Sequence, residues 1–252
     1  MTERLKMPSC KNGFAINISP VFIKNISIYL PKIQKMNQVN QHISQLREDF
    51  MKGELSEIHL KKTPDLQFEQ WMSDAIEAKV NEVAACNLAT VDSNHKPSSR
   101  IVYLREFGNN EFYFYTNYDS RKAAEIADNP FVCLTFFWPE LERQIRIEGI
   151  VVKKAETEKS DAYFNARPQD SKIGAWSSPQ SCVLKNREEL QGFIEQNKKK
   201  FEDQEIPRPE FWGGYIIKAT YYEFWQGRKN RLHDRIRFSL ENENWKIERL
   251  AP

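Results

Sequence analysis

The chain has 252 residues, of which 40% are hydrophobic and 29% are charged, and its formal net charge is +2. A chain of this length buries a substantial core and forms one soluble domain, or at most two. The small net charge gives no bulk electrostatic reason to expect nucleic acid as a partner. Sixteen Phe, nine Tyr and six Trp predict an aromatic-rich interior or a site for a flat ligand.

The first part of the chain differs in composition from the rest. Residues 1–47 contain seven Lys or Arg against one Glu, a local net charge of +6, so the remaining residues sum to −4. An acid-poor basic leader is typical of a mitochondrial presequence, but also of a disordered tail or an alternative amino terminus, which we favour. We therefore predict a basic, disordered leader over residues 1–44 and a single domain over residues 45–252.

Nothing in the sequence indicates a membrane span or a metal site. The most apolar part of the leader, residues 14–30, is interrupted by Asn17, Lys24 and Asn25, which makes it a poor span. The four cysteines have neither CxxC nor metal-ligand spacing, as expected of free thiols in a reducing compartment. We expect a cytoplasmic protein with no metal, membrane or nucleic-acid partner, and a mitochondrial location is the alternative.

Hydrophobic periodicity predicts helices and many short strands. One helix is predicted over residues 41–53, ending at Gly53, and a second over residues 65–80 with a shared face of Phe68, Trp71, Met72, Ala75 and Ile76. The remaining predicted helices cover residues 120–129, 156–167, 168–176 and 187–203. The predicted strands cover residues 85–92, 99–107, 111–117, 131–138, 143–154, 212–227, 231–240 and 244–250.

This order of elements predicts the fold class. Many strands of antiparallel length with a few helices between them indicate an α+β fold whose sheet closes into a barrel. The GxGxxG and Walker patterns are absent, which excludes the Rossmann and P-loop folds.

The segment "NYDSRKAAEIADNP" contains a candidate anion site. Asp119 or Ser120 is a good N-cap, and it places Arg121 and Lys122 in the first helical turn. Cations there oppose the helix dipole by roughly 0.3–1 kcal/mol each, so stability alone would not select them. Free amides, the positive end of the dipole and two cations suit a phosphate. Two solvated surface side chains are the alternative interpretation.

A second candidate anion site lies in "DAYFNARPQDSKIGAW". Tyr163 and Arg167 are four residues apart on one predicted helix face, so their polar ends can converge. Ser171 falls in the helical turn that follows Pro168. A phenol, a guanidinium and a hydroxyl are suitable donors for a second phosphate. A surface Arg packed along a Tyr remains the alternative.

The segment "NRLHDRIRF" predicts a strand with one cationic face. Arg231, His233, Arg235 and Arg237 alternate with mostly apolar residues, and such a row of cations repels itself unless an anion lies on it. Trp225 precedes this row, and a Trp beside Arg and His suits a stacked aromatic ligand with negative groups.

Groups that would catalyse a reaction by themselves are missing from these segments. No Ser-His-Asp set, glycosidase-like acid pair or metal triad is apparent, and Gln144 is a candidate partner for an amide-like ring edge or simply part of a polar strand face. Cations, amides and hydroxyls predict binding of two phosphorylated aromatic molecules, with redox chemistry supplied by a cofactor.

The chain resembles the pyridoxamine 5'-phosphate oxidase family, the FMN enzymes of vitamin B6 metabolism. The resemblance runs from about Gln45 to Pro252, and the motifs that carry it occur in family order: "SSRIVYLR", "YTNYDSRKA", "LERQIRIEG", "YFNARPQDSKIGAW", "PQSCV", "FWGGY", "EFWQG", "NRLHDRIRF" and "ERLAP". It implies an FMN-binding split β-barrel, mostly antiparallel with flanking helices. It also implies a homodimer in which two subunits build each FMN site.

The resemblance also implies a role for each matching residue. FMN would be bound by Arg100, Ile101, Val102, Tyr103, Arg105, Tyr115, Thr116, Arg121, Lys122, Gln144, Gln180, Ser181, Trp225 and Arg235. The substrate would be bound by Arg47, Arg105, Tyr163, Arg167, Ser171, Arg231 and His233, of which the last two would lie at the reacting ring as the catalytic pair. Arg237 is left without a ligand in this scheme and is expected to be solvated.

The implied reaction oxidises pyridoxamine or pyridoxine 5'-phosphate to pyridoxal 5'-phosphate, with oxygen as acceptor and hydrogen peroxide as product. Two residues depart from the family pattern. Arg105 stands where the family usually has Lys, and Phe50 stands where a Tyr commonly covers the substrate; the swap to Arg is not conservative at a close-packed site. These departures favour a rival hypothesis, an FMN- or pyridoxal-phosphate-binding paralogue with weak or no oxidase activity. A split-barrel flavin reductase is a third possibility, opposed by the retained substrate residues.

Overall fold

The structure is a computed structural model that describes residues 36, 38–45 and 49–252, with Lys153 described by its backbone alone. The chain divides into two compact units, Met1–Glu48 and Asp49–Pro252. In the first unit the described residues are helical, and Ser44 Oγ donates to the carbonyl of Gln41 at 2.7 Å. The predicted substrate residue Arg47 lies outside the described residues.

The second unit contains all the elements that position the site. Its helices are α1 Pro64–Glu77, α2 Arg121–Asp128, α3 Thr157–Asn165, α4 Gln169–Ser177 and α5 Arg187–Lys200. Its strands are β1 Ala85–Val91, β2 Pro97–Tyr103, β3 Glu106–Gly108, β4 Glu111–Asn117, β5 Phe131–Trp138, β6 Arg143–Lys154, β7 Trp212–Gln226, β8 Asp234–Glu241 and β9 Asn244–Arg249. The predicted α+β class is confirmed.

The strands form one antiparallel sheet whose two end strands are consecutive in the chain. Its order is β2-β1-β5-β6-β7-β4-β3, and β8 and β9 extend it from β7. The two ends of this order, β2 and β3, are consecutive in the chain and are joined by Leu104 and Arg105, whose amides donate to Ala84 and Tyr113. This two-residue connection holds the two ends of the sheet next to each other, which is the arrangement expected of the predicted barrel.

The core lies inside this sheet and is covered by α1. Phe68 of α1 is fully buried, and its ring makes edge-on contacts with Phe107, Phe112 and Phe136, at centroid distances of 4.8–5.3 Å. Trp71, one turn later, packs in the same way on Phe224. Burying a large aromatic side chain contributes about 1.5–3 kcal/mol, so α1 fixes the shape of the barrel.

Four predictions about the elements are wrong. The single strand predicted over residues 99–107 is divided into β2 and β3 by Leu104 and Arg105. Residues 49–53 are not helical, since Glu142 Oε2 accepts from the amides of Met51 and Lys52 at 2.6 and 2.9 Å. Ile76 is exposed rather than part of the buried face of α1. The strand predicted from residue 231 begins at Asp234, because residues 229–231 form a 3-10 turn with Asn230 and Arg231 at positive φ.

Candidate functional site

One cavity of about 800 Å³ brings the two predicted anion sites together. Its volume is in the range of cofactor and substrate sites. The lining residues come from β2 and the connection after it, from β4, α2, α3 and α4, from the segments that follow α3 and α4, and from the start of β7. They include fourteen of the predicted site residues: Arg100, Ile101, Val102, Tyr103, Arg105, Tyr115, Thr116, Arg121, Lys122, Tyr163, Arg167, Ser171, Gln180 and Ser181.

Lys122 is the central cation at one end of the cavity. It lies in the first turn of α2, after the N-cap Ser120, and its Nζ donates to Gln180 Oε1 at 2.5 Å and to Thr116 Oγ1 at 3.1 Å. Burial, together with the nearby Arg100, lowers the pKa of Lys122 to about 8. An anion bound here would favour the charged ammonium, so this end of the cavity suits a phosphate.

Arg100 and Arg121 lie beside Lys122 and share one carboxylate. Glu125 is 3% exposed, and its Oε1 accepts from Arg121 Nε at 2.7 Å while its Oε2 accepts from an Arg100 terminal nitrogen at 3.0 Å. The hydroxyls of Thr90 and Ser98 also donate to Oε2. The pKa of Glu125 is lowered to about 2 because these four hydrogen bonds outweigh the effect of burial.

The other end of the cavity is a stack of aromatic rings beside a cation. Tyr115 and Tyr163 are parallel with ring centroids 4.0 Å apart, and Trp212 lies parallel to Tyr115 at 5.6 Å. The Arg167 guanidinium lies 4.7 Å from the Trp212 ring, and one of its terminal nitrogens is buried without a hydrogen-bond partner among the described residues. A buried donor without a partner is costly, so this end of the cavity is suited to a ligand oxygen.

Arg105 lies between these two ends. Its guanidinium is 5.0 Å from the Tyr103 ring and 6.0 Å from the Tyr163 ring. Burial and the charge of Arg105 both lower the pKa of Arg167. The two guanidinium groups therefore act on the same part of the cavity, and a dianionic ligand there would relieve their repulsion.

A second group of nominated residues forms a separate cluster. Gln144, Trp225 and Arg235 are register neighbours on β6, β7 and β8, so their side chains share one face of the sheet. Phe50 and His233 complete this group, with ring centroids 5.6 Å and 4.6 Å from that of Trp225. We call these five residues the Trp225 cluster.

His233 in this cluster is oriented by a backbone hydrogen bond. The amide of Arg228 donates to His233 Nδ1 at 3.1 Å, so the neutral ring carries its proton on Nε2. Partial burial and the neighbouring Arg231 lower the pKa of His233 below its usual value. Around neutral pH the ring is therefore an uncharged donor through Nε2.

The cationic row predicted over residues 231–237 differs from its prediction. Arg231 lies in the turn before β8. Arg235 Nε donates to the buried Glu223 at 2.8 Å, and Arg237 pairs with Glu248 at 2.7 Å. The expectation that Arg237 is merely solvated is thus wrong, and carboxylates of the same chain already relieve much of the predicted repulsion.

The cavity and the Trp225 cluster lie at opposite ends of β7. Tyr115 pairs with Gly214 at the start of this strand, and Trp225 lies eleven residues further on. At about 3.3 Å per residue, the path along the strand is roughly 35 Å. One chain therefore does not bring all the nominated residues into a single site.

Sequence reasoning missed two residues that have recognisable signals, Trp212 in the wall of the cavity and Glu125 behind it. Trp212 opens the "WGGY" strand, and Gly214 leaves room for the stack, since a Cβ there would lie 3.0 Å from the Tyr115 ring. Glu125 follows Arg121 by four residues, the spacing of a helical ion pair.

Comparison with known proteins agrees with this geometry. The family model described as pyridoxamine 5'-phosphate oxidase matches residues 72–199, and the model described as the pyridoxine 5'-phosphate oxidase C-terminal dimerisation region matches residues 212–252. The chain belongs to the pyridoxamine 5'-phosphate oxidase family. It is thus a member of an oxidoreductase family, as the resemblance implied.

Relatives of this oxidase family cover most of the chain. The pyridoxine/pyridoxamine 5'-phosphate oxidase of Actinobacillus succinogenes is 52% identical over 207 residues, which is 82% of this chain and 98% of that protein. The protein of the same name from Nostoc punctiforme is 47% identical over 215 residues, which is 85% of this chain and 100% of that protein.

Solved structures of the family share the fold. PhzG from Burkholderia lata, in complex with tetrahydrophenazine-1-carboxylic acid, superposes with a TM-score of 0.73 at 28% identity, over 79% of this chain and 98% of that chain. A pyridoxamine 5'-phosphate oxidase-related, FMN binding protein from Nostoc punctiforme superposes with a TM-score of 0.60 at 17% identity, over 75% and 98% of the two chains. The predicted split-barrel fold is therefore confirmed.

Two features are absent from the residues that the structure describes. No helix among them is both long and apolar enough to cross a bilayer. No group of three or more His, Cys, Asp or Glu side chains among them could hold a metal ion.

Proposed function

We propose that this protein binds FMN and oxidises pyridoxamine or pyridoxine 5'-phosphate to pyridoxal 5'-phosphate, with oxygen as acceptor and hydrogen peroxide as product, in vitamin B6 salvage. The observation that carries the proposal is that one cavity has cationic side chains at both ends, Lys122 and Arg121 at one and Arg167 at the other. A cofactor and a substrate that each carry a phosphate need such an arrangement.

The residues at the Lys122 end of the cavity fit FMN. The ammonium of Lys122, the hydroxyl of Thr116 and the cation of Arg121 are clustered donors for a phosphate, and they lie at the first turn of α2, whose dipole adds to their effect. FMN would supply the redox chemistry as the two-electron acceptor. The protein would contribute binding and orientation.

The residues at the Arg167 end fit the phosphate of the substrate. The unpaired donor of Arg167 is buried, and Ser171 and Tyr163 line the same wall. Arg105 would place a further charge near this phosphate. Substrates without a phosphate would leave these cations unpaired and would bind weakly.

The Trp225 cluster can contribute to the site in the cavity only if a second copy of the chain brings it there. It is roughly 35 Å from the cavity along β7, so we place the cluster of one subunit against the cavity of its partner. Two large apolar side chains, Ile101 on β2 and Phe137 on β5, are exposed in the single chain. A partner subunit that covered them would remove this apolar surface from water. Gln144, Trp225 and Arg235 would then complete the flavin site, and Arg231 and His233 would lie at the substrate ring.

In this arrangement the side chains orient the two rings and neutralise their charges. Arg231 would hold the substrate against the flavin, and His233 would donate from Nε2 to a polar group of the substrate. No side chain is required as a strong base. The reaction rate would depend on close packing of the rings, which the aromatic walls support.

The function is tested by adding pyridoxamine 5'-phosphate in air to purified protein with FMN. Pyridoxal 5'-phosphate and hydrogen peroxide should form in equal amounts. Bound flavin without either product would reject the oxidase and leave the non-catalytic binder. A protein with no affinity for FMN would reject both.

The shared site is tested by complementation between two inactive variants. Lys122→Ala damages the cavity and Arg231→Ala damages the turn beside the Trp225 cluster. In a co-expressed mixture about half of the dimers are mixed, and each has one intact site of two, so about a quarter of wild-type activity should return. If the mixture is no more active than the separate variants, the sites are not shared.

A further inference from the structure

Behind the cations of the cavity lies a buried acid, Glu125, that does not itself line the cavity but bonds to two residues that do. Glu125 belongs to α2 but faces β1 and β2, and its carboxylate joins all three elements through Arg121, Arg100, Ser98 and Thr90. We infer that Glu125 is a positioning residue for phosphate recognition, which holds Arg100 and Arg121 in the orientation that binds the phosphate of the cofactor. The inference rests on the proposed function.

Each oxygen of this carboxylate accepts a hydrogen bond from a different arginine. Oε1 accepts from Arg121 Nε, and both terminal nitrogens of Arg121 are then left without a partner among the described residues. The Arg121 side chain is 63% exposed, so without this contact it would sample many rotamers. A guanidinium held by Nε presents its remaining N–H groups as a fork, the geometry that binds an anion bidentately.

Arg100 is held more completely. Its terminal nitrogens donate to Glu125 Oε2, the Leu88 carbonyl, Thr90 Oγ1 and Ser98 Oγ. Since four protein acceptors fix its head, Arg100 contributes to the cavity as a stationary charge rather than as a mobile donor. That charge acts directly on Lys122.

The acid also makes the cluster of cations possible. Arg100, Arg121 and Lys122 line the same end of the cavity, and like charges at this distance repel each other. Glu125 is charged at neutral pH and partly offsets that repulsion, and it favours the ammonium form of Lys122. A neutral residue of the same shape would leave Arg121 without an ion-pair partner and Arg100 with neutral acceptors alone, and it would make Lys122 easier to deprotonate.

A positioning role for Glu125 and a purely electrostatic role predict opposite changes in FMN affinity when the carboxylate is replaced by a neutral amide. Glu125→Gln adds one net positive charge near the phosphate, which alone would tighten FMN binding. If the carboxylate positions the arginines, the same substitution weakens FMN binding, because an amide NH₂ then faces guanidinium donors. Riboflavin has the same ring system without the phosphate and reports any general damage to the site.

The experiment compares dissociation constants for FMN and riboflavin, from quenching of flavin fluorescence, in the full-length protein at pH 7 and constant ionic strength. Glu125→Gln should raise the constant for FMN at least about tenfold, the equivalent of one charge-assisted hydrogen bond, and change that for riboflavin less than about twofold. Asp128→Asn is the matched control, because Asp128 is an exposed acid on the same helix with no hydrogen bond or ion pair among the described residues. It should leave both constants unchanged.

Equal or tighter FMN binding by Glu125→Gln would overturn the inference, and so would an equal loss for both flavins. If Glu125→Gln does not fold, Glu125→Asp is used in its place. This variant keeps the negative charge, but its side chain is one methylene shorter, so the carboxylate lies further from the arginines. It should weaken FMN binding by a smaller factor and leave riboflavin binding unchanged, whereas parallel losses would again overturn the inference. A wild-type protein that binds FMN no better than riboflavin would contradict the proposed phosphate site itself.

Discussion

Lys122 makes the affinity for FMN depend on pH in a range where few other groups titrate. Its pKa is lowered to about 8 in the protein without ligand, since the ammonium is partly buried beside Arg100. A phosphate dianion in contact with the ammonium would favour the charged form, so binding above pH 8 must be accompanied by uptake of a proton.

The size of the effect follows from that pKa. At pH 7 about nine-tenths of the free protein holds the proton on Lys122, and at pH 9 about one-tenth does. The apparent dissociation constant for FMN should therefore rise about tenfold between these values, which corresponds to about 1.4 kcal/mol. The phosphate has a second pKa near 6, so its own charge changes little over this range.

The assay is a flavin fluorescence titration at pH 7, 8 and 9, with riboflavin as the ligand that has no phosphate. Lys122→Arg is the matched variant, because a guanidinium remains charged throughout and should flatten the pH dependence. A constant that changes less than about twofold in the wild type would refute the assignment of Lys122 to the phosphate. The same slope in Lys122→Arg would assign the titration to another group.

The same lysine affects the stability of the ligand-free protein in the opposite direction. Between pH 8 and pH 10.5 the unfolded chain binds a proton at Lys122 that the folded chain does not. The contribution of this residue to the free energy of unfolding therefore rises with pH across that window. The difference in melting temperature between wild type and Lys122→Arg should change accordingly, in favour of the wild type at higher pH.

Three substitutions test the remaining features. Arg105→Lys should increase the turnover number for pyridoxamine 5'-phosphate, because a slimmer cation fits a close-packed site; a loss of activity would show that the Arg is adapted to its surroundings. Phe50→Tyr should lower KM by up to about tenfold by adding one hydrogen bond of about 0.5–1.5 kcal/mol, and an unchanged KM would place the ring away from the substrate. Gly227→Ala should destabilise the fold by about 1–3 kcal/mol in urea unfolding, since a Cβ there would lie 2.7 Å from Phe50; unaltered stability would contradict that close approach.

Local patterns predicted the elements of the barrel well. Strands β5 and β6 begin and end where alternation of side chains predicted them. Alternation is regular along β5 and the first half of β6, where one face is buried, and register shifts interrupt it in the second half of β6. The placement of Arg121 and Lys122 in the first turn of a helix was equally visible, and cations there oppose the helix dipole. Both signals depend only on residues close in sequence.

Longer-range arrangements were not visible in the sequence. The alternation of residues 231–237 mimics a strand, but Asp234 accepts from the Leu55 amide and from Arg249, and these distant contacts set where β8 begins. The partners of Arg235 and Arg237 are on neighbouring strands, so spacing along their own strand could not reveal them. Nor could spacing show that the cavity and the Trp225 cluster lie at opposite ends of β7.

The number of residues in strand β7 fixes both the distance and the relative orientation between the cavity and the Trp225 cluster. An insertion of one residue between Gly214 and Trp225 would lengthen it by only about 3.3 Å, but it would also turn the indole to the opposite face of the sheet. Length and facing direction therefore cannot be varied separately along this strand. Loops that carry no residue of the proposed site should tolerate insertions, whereas β7 should tolerate changes of side chain but not of length.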